Sequence, residues 1–189
     1  SQLPLKPDVV CGGFAGGARP ESRVFYKDTL LSVLPNAQIL VESDAFVSFI
    51  GAIGLRPGVL LIAGTGSIAI GRREDGSMIR VGGWGPHFGD EGSGFWMGRE
   101  AVRTALRATD SEKHSDFAER ISRTLGLLQI ADAVPAWAAG RIGVPEIAGI
   151  FRELVRIYPA EPANRILREA ASHLRAIADT AVALIGLPD

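Results

Sequence analysis

The chain has 189 residues, 47% hydrophobic and 22% charged, with a formal net charge of −1. That is ample core material for one or two globular domains, and the near-neutral balance with no aromatic-interleaved basic run argues against a nucleic-acid binder. A single cysteine, Cys11, excludes an internal disulfide framework and suits a reducing cytoplasm, and no apolar run reaches the roughly 18 residues of a membrane span.

The first third reads as α/β. Asp8–Gly12 is an apolar strand, and Cys11 within it is expected to be a buried structural thiol. Pro20–Leu34 is a helix opened by Pro20-Glu21 and stopped by Pro35; Gln38–Glu42 is a second strand. Asp44–Leu55 follows as an apolar helix with Asp44 at or near its N-cap, closed by Gly54 and Pro57-Gly58. A strand–helix–strand–helix order implies parallel pairing through a helical crossover. Strands at Val59–Ala63, Ile68–Arg72 and Met78–Val81 then form an antiparallel meander, its second turn made by Asp75-Gly76, and Leu55–Gly58 is the candidate hinge between lobes.

From Ser93 onward helices dominate. Gly94–Thr109 carries Phe95, Trp96, Val102 and Leu106 on one face; Ser115–Leu125, Ile130–Ala139 and Val144–Tyr158 follow, and Pro162–Ile185 is long and alanine-rich. Trp96 and Trp137 lie on apolar helical faces and are expected in the core. His87, His114 and His173 have no cysteine or second histidine at ligand spacing, so no zinc site is expected.

Two segments stand out chemically. Gly64-Thr65-Gly66-Ser67 breaks two apolar strands at a corner where small residues and hydroxyls let backbone N–H groups crowd around an anion. An ordinary hairpin turn is the bland alternative. The second is the loop Gly82 to Gly94, in which six of thirteen residues are glycine and Trp84 stands between Gly83 and Gly85. An indole wall together with the Asp90 carboxylate suits a sugar, which has apolar faces and a polar edge. Part of the segment, Asp90-Glu91-Gly92-Ser93, also reads as a cap for the helix that follows. Asp44 stands where a strand gives way to a helix, the edge at which α/β folds place ligands; its plain reading is an N-cap.

The succession Glu42-Ser43-Asp44-Ala45, Gly64-Thr65-Gly66-Ser67, Gly82-Gly83-Trp84-Gly85 and Gly89-Asp90-Glu91-Gly92-Ser93 resembles the N-acetylglucosamine and glucosamine kinases, members of the BadF/BadG/BcrA/BcrD ATPases. The resemblance implies the ribonuclease H-like fold of actin, Hsp70 and the sugar kinases in two lobes. Residues 1–56 would belong to the N-terminal lobe and 57–189 to the C-terminal lobe, the latter helix-rich in its second half. It implies ATP and Mg2+ as cofactors, an amino sugar as acceptor, a cytoplasmic setting and a homodimer. Asp44 matches the general base for the sugar 6-hydroxyl. Gly64, Thr65, Gly66 and Ser67 match a phosphate-binding hairpin, with Thr65 the foremost nucleotide contact. Gly83, Trp84, Gly85 and Asp90 match sugar contacts, while Glu91 and Ser93 order the loop and cap its helix.

Departures from the family pattern also carry expectations. The Asp-Gly-Gly-Gly-Thr hairpin with which the family opens does not occur in this chain, so the chain is expected to be an internal segment, incomplete at both ends and inactive alone. Ile68 stands where relatives carry asparagine, and Gly12-Gly13-Phe14-Ala15-Gly16-Gly17 lacks their serine, which leaves N-acetylglucosamine, glucosamine or another hexose open. Tyr158-Pro159-Ala160-Glu161-Pro162 replaces a Gly-Asp turn, so no adenine contact is carried over. Two other functions remain open: an ATPase activator of a radical enzyme, and a non-catalytic sugar-binding relative.

Overall fold

The computed structural model describes residues 7–17, 19–111 and 115–186; Ser1–Lys6, His114 and Leu187–Asp189 lie outside them. Strand β1 (Val9–Phe14) runs parallel to β2 (Gln38–Ser43), Val9 opposite Gln38 and Phe14 opposite Ser43, and helix α1 (Pro20–Val33) makes the crossover. Strand alternation sends Val10 and Phe14 toward α1, where they pack with Ile39, Val41, Tyr26 and Leu30; the Phe14 and Tyr26 rings stack at 4.2 Å. Val9, Cys11 and Gly13 take the opposite face. Helix α2 (Asp44–Ile53) reaches that face at Gly13, where a Cβ would sit 2.7 Å from a Val47 methyl. Cys11 lies further along the strand and is exposed, not the buried thiol its apolar neighbours suggest.

The cap of α2 is Ser43 rather than Asp44. Ser43 Oγ accepts the Phe46 N–H at 3.1 Å, which places Asp44 in the first turn, its carboxylate accepting the Ala45 N–H at 2.9 Å. A carboxylate there complements the helix dipole. The helix stops at Gly54, whose φ of 75° a residue with a side chain adopts only under strain.

A second sheet, β3 (Gly58–Ala63), β4 (Ser67–Arg72) and β5 (Met78–Gly82), is the expected meander in the order β3-β4-β5. Its Asp75-Gly76 turn is held by the Ser77 N–H donating to Asp75 Oδ1 at 2.8 Å. Phe49 and Ala45 of α2 are buried with Ile70 of β4 in one apolar cluster that includes Ile62 and Ile68, so α2 shares its core with the second sheet. The Arg72 guanidinium donates to the Leu55 carbonyl, tying the segment after α2 to β4.

The rest is helical: α3 (Gly94–Asp110), α4 (Asp116–Thr124), α5 (Ala133–Ala138), α6 (Val144–Gly149), α7 (Phe151–Ile157) and α8 (Ala163–Ile185). Two expected helices are each divided. Ile130–Asp132 forms a tight 3-10 turn, in which the Gln129 N–H donates to the Asp132 carboxylate, before α5 starts. The stretch from Val144 to Tyr158 breaks beside Gly149, a poor helix former, and fully buried Ile150 joins α6 to α7. The main core gathers Phe95, Trp96, Ala101, Ile121, Leu154 and Ile166 from four helices. Trp96 is in it as expected, whereas Trp137 is 41% exposed because it stands at the wall of a hollow. Helix α8 lies along the meander, Ile185 against Gly71 and Ile177 near Gly82.

Helices α3 and α6 approach unusually closely at Gly98, where a Cβ would overlap the Ile147 carbonyl. The start of α3 is also joined to the β3–β4 hairpin. The Gly94 N–H donates to the Gly64 carbonyl at 2.8 Å and the Phe95 N–H to the Thr65 carbonyl at 3.1 Å. Two of the orphan donors of a helix N-terminus are thereby satisfied by the turn, and Ser93 caps the Trp96 N–H at 3.2 Å.

Candidate active site

The hairpin residues Gly64, Thr65 and Gly66 form the turn between β3 and β4, closed by the Gly64 N–H donating to the Gly66 carbonyl at 2.9 Å. Thr65 is exposed at its tip. Ser67 is buried, and its hydroxyl donates to the Glu91 carbonyl at 2.8 Å. The hydroxyl therefore fastens the hairpin to the glycine-rich loop, which brings the two chemically distinctive segments side by side.

Asp90 lies at the centre of that junction. It is 8% exposed and adopts φ 60°, the left-handed region that aspartate tolerates better than most side chains. A Cβ built on Gly66 would stand 2.7 Å from Asp90 Oδ2 and 3.0 Å from its Cγ, so the carboxylate rests directly over the hairpin glycine. Gly83 is packed as tightly onto Ile68, with a Cβ 2.7 Å from its δ-methyl. Ile68 thus acts as an apolar seat for the loop.

Trp84 is 70% exposed, and the Arg80 guanidinium lies 4.4 Å from its ring centroid. Arg80 also donates to the carbonyls of Gly82 and Gly83, each at 2.9 Å. One side chain thereby fixes both the loop backbone and the indole, and a cation over the ring holds it by its quadrupole.

Asp44 stands in the first turn of α2. Its carboxylate is exposed, and the adjacent Ala45 is buried in the same cluster as Ile62 and Ile68, the pair that flanks the hairpin turn. The structure therefore sets Asp90 against Gly66, joins Ser67 to Glu91, packs Gly83 on Ile68 and sets the start of α2 on the strands that carry the hairpin. Trp84 and Gly85 continue the loop toward solvent.

Beside the turn opens a hollow of about 450 Å3, bounded by Gly64, Thr65, Gly94, Ala148, Phe151 and Arg152. Phe151 and Arg152 escaped the sequence reading. They start α7 more than eighty residues after the hairpin, in a stretch read as one continuous helix. The break beside Gly149 was the one local signal for them.

The BadF/BadG/BcrA/BcrD ATPase family matches residues 5–178. An N-acetylmuramic acid/N-acetylglucosamine kinase of Clostridium acetobutylicum is 34% identical over 169 residues, covering 88% of this chain and 55% of that protein. An N-acetyl-D-glucosamine kinase of Dictyostelium discoideum is 35% identical over 103 residues, 53% of this chain and 32% of its own. The chain thus spans about half or less of the length of these relatives. A crystal structure of a provisionally named N-acetylglucosamine kinase from Chromobacterium violaceum superposes with a TM-score of 0.78 at 28% identity, over 98% of this chain and 65% of the other. A second structure, from Porphyromonas gingivalis, shares the fold with a TM-score of 0.72 at 20% identity. The chain has the fold of actin, Hsp70 and the sugar kinases, and it belongs to the BadF/BadG/BcrA/BcrD ATPase family.

Proposed function

We propose that the protein is an ATP-dependent kinase of an amino sugar, transferring the γ-phosphoryl group to the 6-hydroxyl of N-acetylglucosamine or a close relative. The observation that carries this reading is the Asp90 carboxylate, buried at φ 60° and resting on Gly66 of the hairpin. A sugar-hydroxyl acceptor is thereby set within reach of a turn suited to phosphate. The names of the relatives from C. acetobutylicum and D. discoideum support the acceptor class, and the former adds N-acetylmuramic acid to the candidates.

In this reading Gly83, Trp84, Gly85 and Asp90 hold the sugar, Gly64, Thr65 and Gly66 face the phosphates, and buried Ser67 holds their hairpin to the loop through the Glu91 carbonyl. Phe151 and Arg152 flank the nucleotide in the adjoining hollow. The Asp44 carboxylate takes the proton of the 6-hydroxyl as that oxygen bonds to the γ-phosphorus, and the bond from phosphorus to the bridging oxygen of ADP breaks. Phosphoryl transfer asks the protein for position and charge complementarity more than for covalent help. Among the described residues no three His, Cys, Asp or Glu side chains converge. That donor set fits magnesium carried on the nucleotide phosphates rather than in a protein cage, where it would neutralise phosphate charge. The division into lobes at residues 56/57 and a cytoplasmic setting belong to the same proposal.

Asp44→Asn tests it. Turnover, followed as sugar-dependent ADP release, falls by about 10²–10⁴, the usual worth of a general base, while sugar affinity measured by calorimetry stays within about threefold. Undiminished turnover by the variant removes Asp44 from the mechanism.

A further inference from the structure

A second hollow, of about 390 Å3, opens between the first turns of α3, the Pro86-His87 part of the loop and helices α5 and α6. Its walls are apolar, with Phe95, Val102, Val134, Trp137 and Ile147 among them. The Phe95 and Trp137 rings lie 6.1 Å apart, and Trp137 keeps 41% of its surface exposed. Such a volume falls within the range of small-molecule sites.

The charged part of the lining has one sign. Arg99 and Arg103 border the hollow and no acid does. Arg103 is paired with Glu100 at 3.1 Å, and Arg99 Nε lies 3.5 Å from the same carboxylate oxygen, so two guanidinium groups share one anion. Arg99 Nη1 reaches the Pro86 carbonyl at 3.4 Å, a long bond, while its Nε is buried and has no hydrogen-bond acceptor.

We propose that this hollow is a binding site for a small organic carboxylate with an aromatic or branched aliphatic body. A neutral apolar guest would fill the walls and leave the two guanidinium groups with a single carboxylate between them. A small polar anion would balance the excess guanidinium charge and forfeit the contact with Phe95 and Trp137. A carboxylate on an apolar body does both, and the planar guanidinium matches its two oxygens. The site shares Pro86 and His87 with the glycine-rich loop but is not lined by Asp44, Thr65, Trp84 or Asp90, and it does not depend on the kinase reading.

The test is calorimetric titration of the protein with 3-phenylpropanoate, against 3-phenylpropanamide and acetate as controls. Saturable one-to-one binding of the acid is expected, with amide and acetate at least about tenfold weaker, the scale of a charged hydrogen bond. Two variants complete it: Arg99→Gln, which removes the charge, and Val134→Trp, which fills the hollow from a position that is 60% exposed and therefore spares the core. Each should weaken the acid by about tenfold or more, with the far-ultraviolet circular dichroism unchanged. Should Arg99→Gln fail to fold, Val134→Trp decides. Absence of saturable binding, equal binding of acid and amide, or full affinity in a folded variant overturns the proposal.

Discussion

Gly66 separates a steric role from a conformational one, because its φ lies outside the left-handed region and alanine can adopt its backbone. The nearest atoms to an added methyl are all in the Asp90 carboxylate group: Oδ2 at 2.7 Å, Cγ at 3.0 Å and Oδ1 at 3.2 Å. Ordinary contact begins near 3.4 Å, so Gly66→Ala must push the carboxylate aside by several tenths of an ångström. The fold has little to lose, since a compatible Gly→Ala change stabilises by about 0.4–1 kcal/mol through the unfolded chain, which offsets much of the local crowding. The site loses the aim of one charged acceptor, a hydrogen bond worth about 1.5–3 kcal/mol. Affinity for the sugar should therefore fall by about ten- to a hundredfold, while the midpoint of thermal unfolding moves by no more than a few degrees. Calorimetry with N-acetylglucosamine and a thermal melt on the same sample measure both. Gly64→Ala is the internal control, two residues away in the same turn, because its methyl meets nothing within 4 Å. Equal sugar affinity in the two variants would show that Asp90 does not hold the acceptor, and the reasoning would fail.

Gly98→Ala should act in the opposite sense on stability. Helix propensity alone favours alanine by about 1 kcal/mol, but the methyl would overlap the Ile147 carbonyl, a backbone atom that cannot swing away. Overpacking of about 1–3 kcal/mol or more should win and lower the melting temperature by several degrees; a raised one would show that α3 and α6 can part freely. The Asp75 carboxyl is held below its ordinary value chiefly by hydrogen bonds from the Ser77 side chain and N–H, with Arg73 and Arg72 adding smaller attraction. Because the folded-state value is depressed, its contribution is present above about pH 4 and disappears as pH falls through the lowered value. Asp75→Asn should consequently flatten the acid limb of a stability–pH curve; an unchanged slope refutes the assignment.

The meander, the parallel pair and the helical second half were legible because strand alternation and glycine or proline punctuation are local signals. Ser67 and Asp90 were legible as chemistry, yet their joining through Glu91 was not, since it spans twenty-four residues. The burial of Cys11 was misjudged because an apolar strand says only that one face is covered, and in this pair α1 covers the face carrying Val10 and Phe14. Trp137 likewise sits on an apolar helix whose neighbour is a hollow. Asp44 was expected at or near the cap of α2 and lies next to it, in the first turn, since the Ser43 hydroxyl reaches three residues ahead to take the cap itself. For Arg152 the break beside Gly149 was the one local signal, because its place in the hollow depends on α7 folding back beside Thr65.

The pair of bonds from Gly94 and Phe95 to the carbonyls of Gly64 and Thr65 has a mechanical consequence. The donors that a free helix end would offer to a visiting anion are already spent on the turn, so α3 steers the hairpin instead of competing with it for the ligand. A disturbance deep in the bundle, anywhere that tilts α3, would be transmitted to the tip of that turn without a contact on it being altered.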